Sequence, residues 1–253
     1  MDYERQRMKT SKRLYKNFRI KVFGFGWWFY ILLAAVLLVV LTILCSSMDR
    51  ASRKLVIFIL SLSEYIILRI YKYSLKNIRE NYNFYNELPC YLCNQSTILC
   101  MIGALTESDF VMSYCVTAGF LGALLAVLMP DQYNQNQLFF SRQAFGFYGY
   151  HSLLMVTCLS FYTLKIYEPV PSHALGVMAM IFLLACIAHL INYVLRKSGL
   201  HPQANYVYTY FPENIVFQKC YDLFPVKMLY MIPIMLGFGA VSYVMLVVMK
   251  LFR

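Results

Sequence analysis

Charge is scarce in this sequence. Of 253 residues only 14% are Asp, Glu, Lys or Arg, where a soluble domain carries about a quarter. That deficit excludes an ordinary cytosolic globule, and a hydrophobic content of 60% excludes a disordered chain. Acidic side chains are rarer still, 12 against 23 basic, for a net charge of +11. There is no HExxH, no glycine-rich phosphate loop and no GxSxG, so these routes to metalloprotease, nucleotide and serine-hydrolase chemistry are missing. No soluble domain, linker or low-complexity segment interrupts the chain. No internal repeat stands out, which argues against an inverted-repeat transporter. Eight cysteines are present, but Cys45, Cys100, Cys115, Cys158 and Cys186 lie inside apolar runs, where a thiol acts as a small hydrophobe. Secreted disulfide scaffolds are short and loop-rich, unlike this chain.

What the sequence has in abundance is long apolar stretches. A bilayer core of roughly 30 Å needs about 20 apolar residues per helix. Residues 24–45, 88–106, 110–130, 143–164, 173–195 and 228–249 contain no Asp, Glu, Lys or Arg, and 55–71 is apolar except for Ser61, Ser63, Glu64 and Arg69. The first run is too long for a signal-peptide core and lacks a small-residue cleavage site. The reading is an all-α polytopic membrane protein with seven transmembrane helices. With the N-terminus inside, sixteen Lys and Arg fall on the cytoplasmic side and six outside, which predicts a cytoplasmic N-terminus. Residues 1–23 form a basic cytoplasmic segment, with Arg5, Arg7, Lys9, Lys12, Arg13, Lys16, Arg19 and Lys21 against Asp2 and Glu4; residues 24–253 form the seven-helix domain. The basic segment is expected to touch anionic lipid headgroups. A basic arm on an apolar body does not suit nucleic acid.

Polar groups inside a membrane are costly and are functional candidates by default. At about 1.5 Å per residue, Cys93 lies five residues into its span from Leu88, roughly 8 Å, and His151 and His189 lie seven residues from their ends, roughly 10 Å. Glu64 lies at least five residues deep and Asn192 one turn nearer the surface than His189. Four helices thus place Glu64, Cys93, His151 and His189 at one depth. Taken singly, each has a plainer reading: a buried Cys packs, a buried His bonds a helix carbonyl, and Glu64 pairs with Arg69 or a His. Convergence is what favours chemistry.

A thiolate is a nucleophile, and an adjacent imidazole takes its proton. His189, Asn192 or Glu64 could orient that imidazole, following triad logic. The substrate would carry an ester near headgroup level, as glycerophospholipids do, and the acyl chain would be held as a thioester on Cys93. Asn94, Gln95, Asn192, Asn205 and Tyr206 are candidate oxyanion donors or headgroup contacts. Cys90 and Cys93 form a CxxC with both sulfurs on nearly one helix face, without the soluble context of a thioredoxin. A zinc site would need Cys90, Cys93, His151 and His189 together; the reading takes no metal and no cofactor. Gly119 and Gly122, beside Ala118 and Ala123, suit a close helix contact.

The run Leu88-Pro89-Cys90-Tyr91-Leu92-Cys93 resembles the LPxxLC opening of the third helix in the transmembrane-protein-164 family, whose bacterial branch is known as the YwaF-like membrane proteins. Pro130-Asp131, Phe139-Phe140, Gly149-Tyr150-His151, Asn192, Asn205-Tyr206-Val207-Tyr208 and Phe224-Pro225 resemble later family positions in the same order, across 88–233. Tyr150 stands where the family pattern has a small polar residue, and the stretch between Asn192 and Asn205 is longer than usual. The resemblance implies a seven-helix membrane enzyme. Animal members are described as acyltransferases that move a fatty acyl chain between phospholipids with a Cys nucleophile and a His. Carried over, Cys93 is the nucleophile and His151 the base. The family is also held to be similar in fold to membrane hydrolases of fatty-acid esters that use Thr and His.

Three readings are open at this point. The first is a Cys–His lipid acyltransferase, or a lipid ester hydrolase with the same site, whose partners are membrane lipids as donor and acceptor. The second is a transporter or channel, for which spans one, four and seven are too apolar. The third is a scaffold acting through its basic N-terminus, for which Cys93→Ala and His151→Ala would be silent. The YwaF-like character and the minimal loops place the chain in a bacterial plasma membrane.

Overall fold

The computed structural model describes residues 19–74, 76, 83–130, 134–213 and 215–253. The basic residues from Arg5 to Lys16, Arg79 and Asp131 lie outside them. Helices make up the fold: α1 Phe25–Leu44, α2 Arg50–Ser74, α3 Leu92–Thr106, α4 Asp109–Leu128, α5 over 142–163, α6 Ala174–Lys197, the short α7 Ile215–Leu223, and α8 Ile232–Leu251. Among the described residues there is no strand, only an antiparallel bridge between Arg19 and Leu138 that ties the N-terminal flank to the α4–α5 connection.

Each of the seven apolar stretches coincides with a helix. By length and composition, four described helices can cross a membrane: Phe25–Leu44, Asp109–Leu128, Pro171–Lys197 and Leu229–Leu251. The others depart for identifiable reasons. Helix α2 is long but charged toward both ends, α3 has 15 residues, and α5 is interrupted near its start. The bundle is apolar on its outside as well as in its core. Leu32, Val36, Val39, Ile43 and Leu44 of α1 face outward, as do Leu236, Val241, Tyr243 and Val244 of α8, exposure that suits hydrocarbon and not water.

Helix α5 sits at the centre and packs on α1, α2, α3 and α4. Its sequence explains the position: Tyr150–Thr163 is buried on nearly every side and mixes small, polar and aromatic residues. Hydroxyls inside the bundle bond helix carbonyls, as Ser61 does to Ile57 at 2.8 Å, Thr117 to Ser113 at 2.6 Å and Ser160 to Val156 at 2.7 Å. Such bonds remove the penalty of an unpaired donor in an apolar medium.

At the end away from the N-terminus, Glu107 closes α3 in the left-handed conformation with φ 53°. Arg50 grips it with two bonds, Nε at 2.9 Å and Nη2 at 2.7 Å, and Lys54 adds a third. Hydrogen bonds from Lys54 and then Arg50 hold the Glu107 carboxyl below its usual range. Arg53 binds the carbonyls of Cys45, Ser46 and Leu164, so α2 anchors both neighbouring connections.

Candidate functional site

The segment that resembles a family motif is where α3 begins. Pro89 forces Leu88 into an extended conformation (φ −61°, ψ 151°). Cys90 N–H turns back to the Leu88 carbonyl at 2.8 Å, and the helix starts only at Leu92. This corrects the expected depth: Cys93 is the second residue of α3, not the sixth of a helix from Leu88. Cys90 lies in the turn outside the helix, so the CxxC has no i, i+3 helical geometry. Tyr91, at the N-cap, makes no side-chain cap bond. The N–H groups of Leu92, Cys93 and Asn94 therefore have no intrahelical acceptor, and Cys93 belongs to the first turn, at the positive end of the α3 dipole. Asn94 Nδ2 and Gln95 Oε1 are buried with no partner.

Helix α5 carries His151, whose neighbour Tyr150 touches the start of α3. A π-helical turn at Phe145–Gly149 precedes it, a device that re-aims side chains and clusters at functional sites. Gly146 is needed there because a Cβ would come within 2.4 Å of the Tyr71 ring of α2. Just beyond the turn, Tyr150 donates its phenol to the Cys93 carbonyl at 2.9 Å and meets Thr97 Oγ1 at 2.8 Å. Thr97 Oγ1 also lies 3.3 Å from the Cys93 carbonyl. The residue next to His151 thus clamps the turn that bears Cys93. His151 is 8% exposed, and its Nδ1 lies 2.7 Å from the Phe147 carbonyl. A carbonyl can only accept, so Nδ1 carries the proton and Nε2 presents a lone pair. Among the described residues no hydrogen bond joins the Cys93 thiol to the imidazole directly. The Lys72 ammonium of α2 lies within electrostatic reach of both groups.

The remaining candidates separate into two other places. Glu64 is 1% exposed and accepts from Thr157 Oγ1, while Arg69 bonds the Glu87 carbonyl at 2.5 Å. Glu64 therefore pairs with neither Arg69 nor a His. Thr157 is six residues beyond His151, about 9 Å along the helix, so Glu64 belongs to a deeper layer. Cys100 and Cys158 meet there at 3.7 Å between sulfurs. Gly119 does make the expected close contact, its Cβ position being 3.1 Å from Cys158 Sγ, whereas Gly122 faces open space. The one-depth arrangement of four residues fails because α3 starts late and α2 presents Glu64 to the far half of α5.

Toward the surface, Asn192 is fully buried and staples the 205–210 loop. Its Nδ2 donates to the Tyr206 carbonyl at 2.9 Å and to Thr209 Oγ1 at 3.0 Å, and its Oδ1 accepts from Tyr206 N–H at 2.8 Å. Asn205 does the same one step out, donating to Phe211 O and Glu213 Oε1 and accepting from the Tyr210 and Phe211 N–H groups. His189 bonds Thr209 at 3.1 Å and stacks on Tyr210 at 4.8 Å. None of these three orients His151; the Phe147 carbonyl occupies that position. Tyr206 comes nearest the α3 cap, its ring 5.0 Å from Tyr91.

The family profile described as TMEM164 family matches residues 22–249. The chain belongs to the TMEM164 family. Together with its apolar helices, membership makes it an integral membrane protein. No curated protein and no solved structure matches it. The match runs from before α1 to two residues short of the end of α8, so the TMEM164 family assignment extends well beyond the 88–233 region that carries the motifs.

Two contributors in this TMEM164-family chain escaped sequence reasoning. Lys72 counts in a sequence only as a flanking charge, yet it acts electrostatically on both the candidate thiol and the imidazole. Tyr150 stands out only as a departure from the family pattern, yet it clamps α3. All eight cysteines are free. Among the described residues no three His, Cys, Asp or Glu side chains are grouped to hold a metal ion.

Proposed function

We propose that the chain is a membrane-embedded Cys–His acyltransferase that moves a fatty acyl chain between glycerophospholipids or related lipids through a thioester on Cys93. One observation carries the reading: Cys93 lies on the uncapped first turn of α3, and Tyr150, beside His151, holds that turn by its carbonyl. The imidazole tautomer also suits a base, because Nδ1 is committed to Phe147.

In this mechanism His151 Nε2 takes the Cys93 proton, directly or through one water. The sulfur attacks the ester carbonyl carbon, and the developing oxyanion takes hydrogen bonds from first-turn N–H groups. The C–O bond breaks, and the leaving lyso-lipid oxygen recovers the proton from His151. A second lyso-lipid hydroxyl then gives its proton to His151 and attacks the thioester, and the thiol is restored. With water as acceptor the same site is a lipid ester hydrolase. The proposal includes seven spans, a cytoplasmic N-terminus whose basic residues meet anionic headgroups, and a YwaF-like protein of a bacterial plasma membrane. The sixteen-to-six distribution of basic residues supports that orientation.

The test is incubation of purified protein in liposomes with labelled phospholipid and a lyso-lipid acceptor, wild type beside Cys93→Ser. Intact-protein mass spectrometry is expected to find an acyl adduct, released by hydroxylamine and absent from the variant. Neither adduct nor acyl exchange across a panel of lipids would leave a non-enzymatic scaffold as the reading.

A further inference from the structure

Arg69 is the least satisfied charge near the candidate site. Its Nη1 donates to the Glu87 carbonyl, but Nε and Nη2 are buried and have no hydrogen-bond partner among the described residues. These two nitrogens form the side-on fork with which a guanidinium grips a phosphate or carboxylate. Buried guanidinium donors left unanswered are strongly unfavourable, so these two nitrogens are suited to take up an acceptor oxygen. Lys72 follows on the same helix face at i+3, and its ammonium pairs with Glu87 at 3.1 Å and lies 5.6 Å from the centre of the Tyr91 ring. Both cations act electrostatically on Cys90, and Lys72 acts on Cys93 and His151 as well. The Arg69 guanidinium also lies over Tyr65 at 5.3 Å, a contact that supplies no acceptor oxygen. Among the described residues, Arg69 and Lys72 against Glu87 leave one net positive charge beside the start of α3.

We infer that Arg69 and Lys72 form a subsite for a phosphate-type oxyanion, the Arg69 Nε–Nη2 fork binding two of its oxygens. A phosphate stands a few bonds from the acyl esters of a glycerophospholipid, so an anion held here brings an ester toward Cys93. The subsite selects phosphate-bearing lipids over neutral esters such as diacylglycerol. As a specificity device it rests on the acyl-transfer reading; as an anion site it does not.

The experiment therefore measures binding without chemistry, on full-length Cys93→Ser protein. One arm uses nanodiscs doped with phosphatidic acid or with diacylglycerol of the same chains, and native mass spectrometry counts retained lipid. The other adds inorganic phosphate to diacylglycerol nanodiscs and follows thermal unfolding. Phosphatidic acid is expected to be retained about 10- to 100-fold better than diacylglycerol, as a charge-assisted fork implies. Arg69→Gln should erase that preference, Arg69→Lys should keep only part of it, and Glu87→Gln should strengthen it by removing a competing carboxylate. Phosphate binding in either arm that Arg69→Gln abolishes supports the subsite, and the arm tells whether the anion must belong to a lipid. Equal binding by wild type and a folded Arg69→Gln overturns it, as does no binding in either arm. Should Arg69→Gln not fold, unchanged preference in both Arg69→Lys and Glu87→Gln overturns it. If the subsite behaves as expected and wild type forms no acyl adduct, the enzyme reading fails while the anion site stands.

Discussion

The Tyr150 phenol donates to the Cys93 carbonyl at 2.9 Å, joining the start of α3 to the turn of α5 that carries His151. The same oxygen meets Thr97 at 2.8 Å, so one hydroxyl fixes the relative height of the two helices. Tyr150→Phe keeps the ring and removes only the clamp. It is expected to lower stability by about 1 kcal/mol, the net value of a buried hydrogen bond. Acyl transfer should fall further, by about 10- to 100-fold, because a reacting pair tolerates little displacement. Thermal unfolding and transfer rates measured side by side check this; equal loss in both would make the clamp merely structural.

Asn192 faces the opposite prediction. The family resemblance and its depth make it a candidate for the site, but its amide is committed to Tyr206 and Thr209. Asn192→Ala leaves buried backbone groups of the loop unpaired, at a cost of about 1–3 kcal/mol. The 205–210 loop should become sensitive to protease, while the rate per folded molecule stays within about twofold if the role is structural. A large rate loss in a fully folded variant would return Asn192 to the chemistry.

Sequence patterning reached the helices because burial in lipid demands long uncharged runs, and every such run became a helix. It put Cys93 and His151 toward the starts of their helices, which Tyr150 joins, but counting residues misjudged the depth of Cys93. It failed on details that counting cannot see. The extended Leu88-Pro89 step delays α3 to Leu92, and Glu64 faces Thr157 because of how α2 packs on α5. Lys72 was hidden for another reason: a basic residue near a span end reads as a topology signal, and only packing brings it within electrostatic reach of the candidate pair. The group that holds His151 Nδ1 is a backbone carbonyl, which no side-chain pattern encodes.

Gly146 tests the α2–α5 contact behind the site. A Cβ there would lie 2.4 Å from ring atoms of Tyr71, closer than atoms can approach, and the contact is to the body of the ring. Gly146→Ala should therefore destabilise by about 1–3 kcal/mol through overpacking. Tyr71→Ala opens the space, so in the double variant the added methyl should cost much less. A double-mutant cycle on unfolding midpoints measures that coupling. Additive effects would mean that the π-helical turn, not the ring, sets the requirement for glycine.

Glu107 gives the fold a pH dependence at the end remote from Cys93. Hydrogen bonds from Lys54 and Arg50 hold its carboxyl below the ordinary value of 4.5. A carboxyl depressed in the folded state stabilises wherever it is ionised in both states, and that contribution fades as protonation overtakes the folded form. The stabilisation is thus complete above the unfolded value and is lost as pH falls through the lower folded value. Glu107→Gln should lower the unfolding midpoint at neutral pH, and the gap from wild type should close on acidification below 4.5. Because the cluster is partly exposed to solvent, high salt should narrow the gap as well. Thermal unfolding in detergent across pH, for wild type and Glu107→Gln, gives the answer: a gap that persists unchanged into acid would assign the effect to the left-handed α3 cap at Glu107 instead of to its charge.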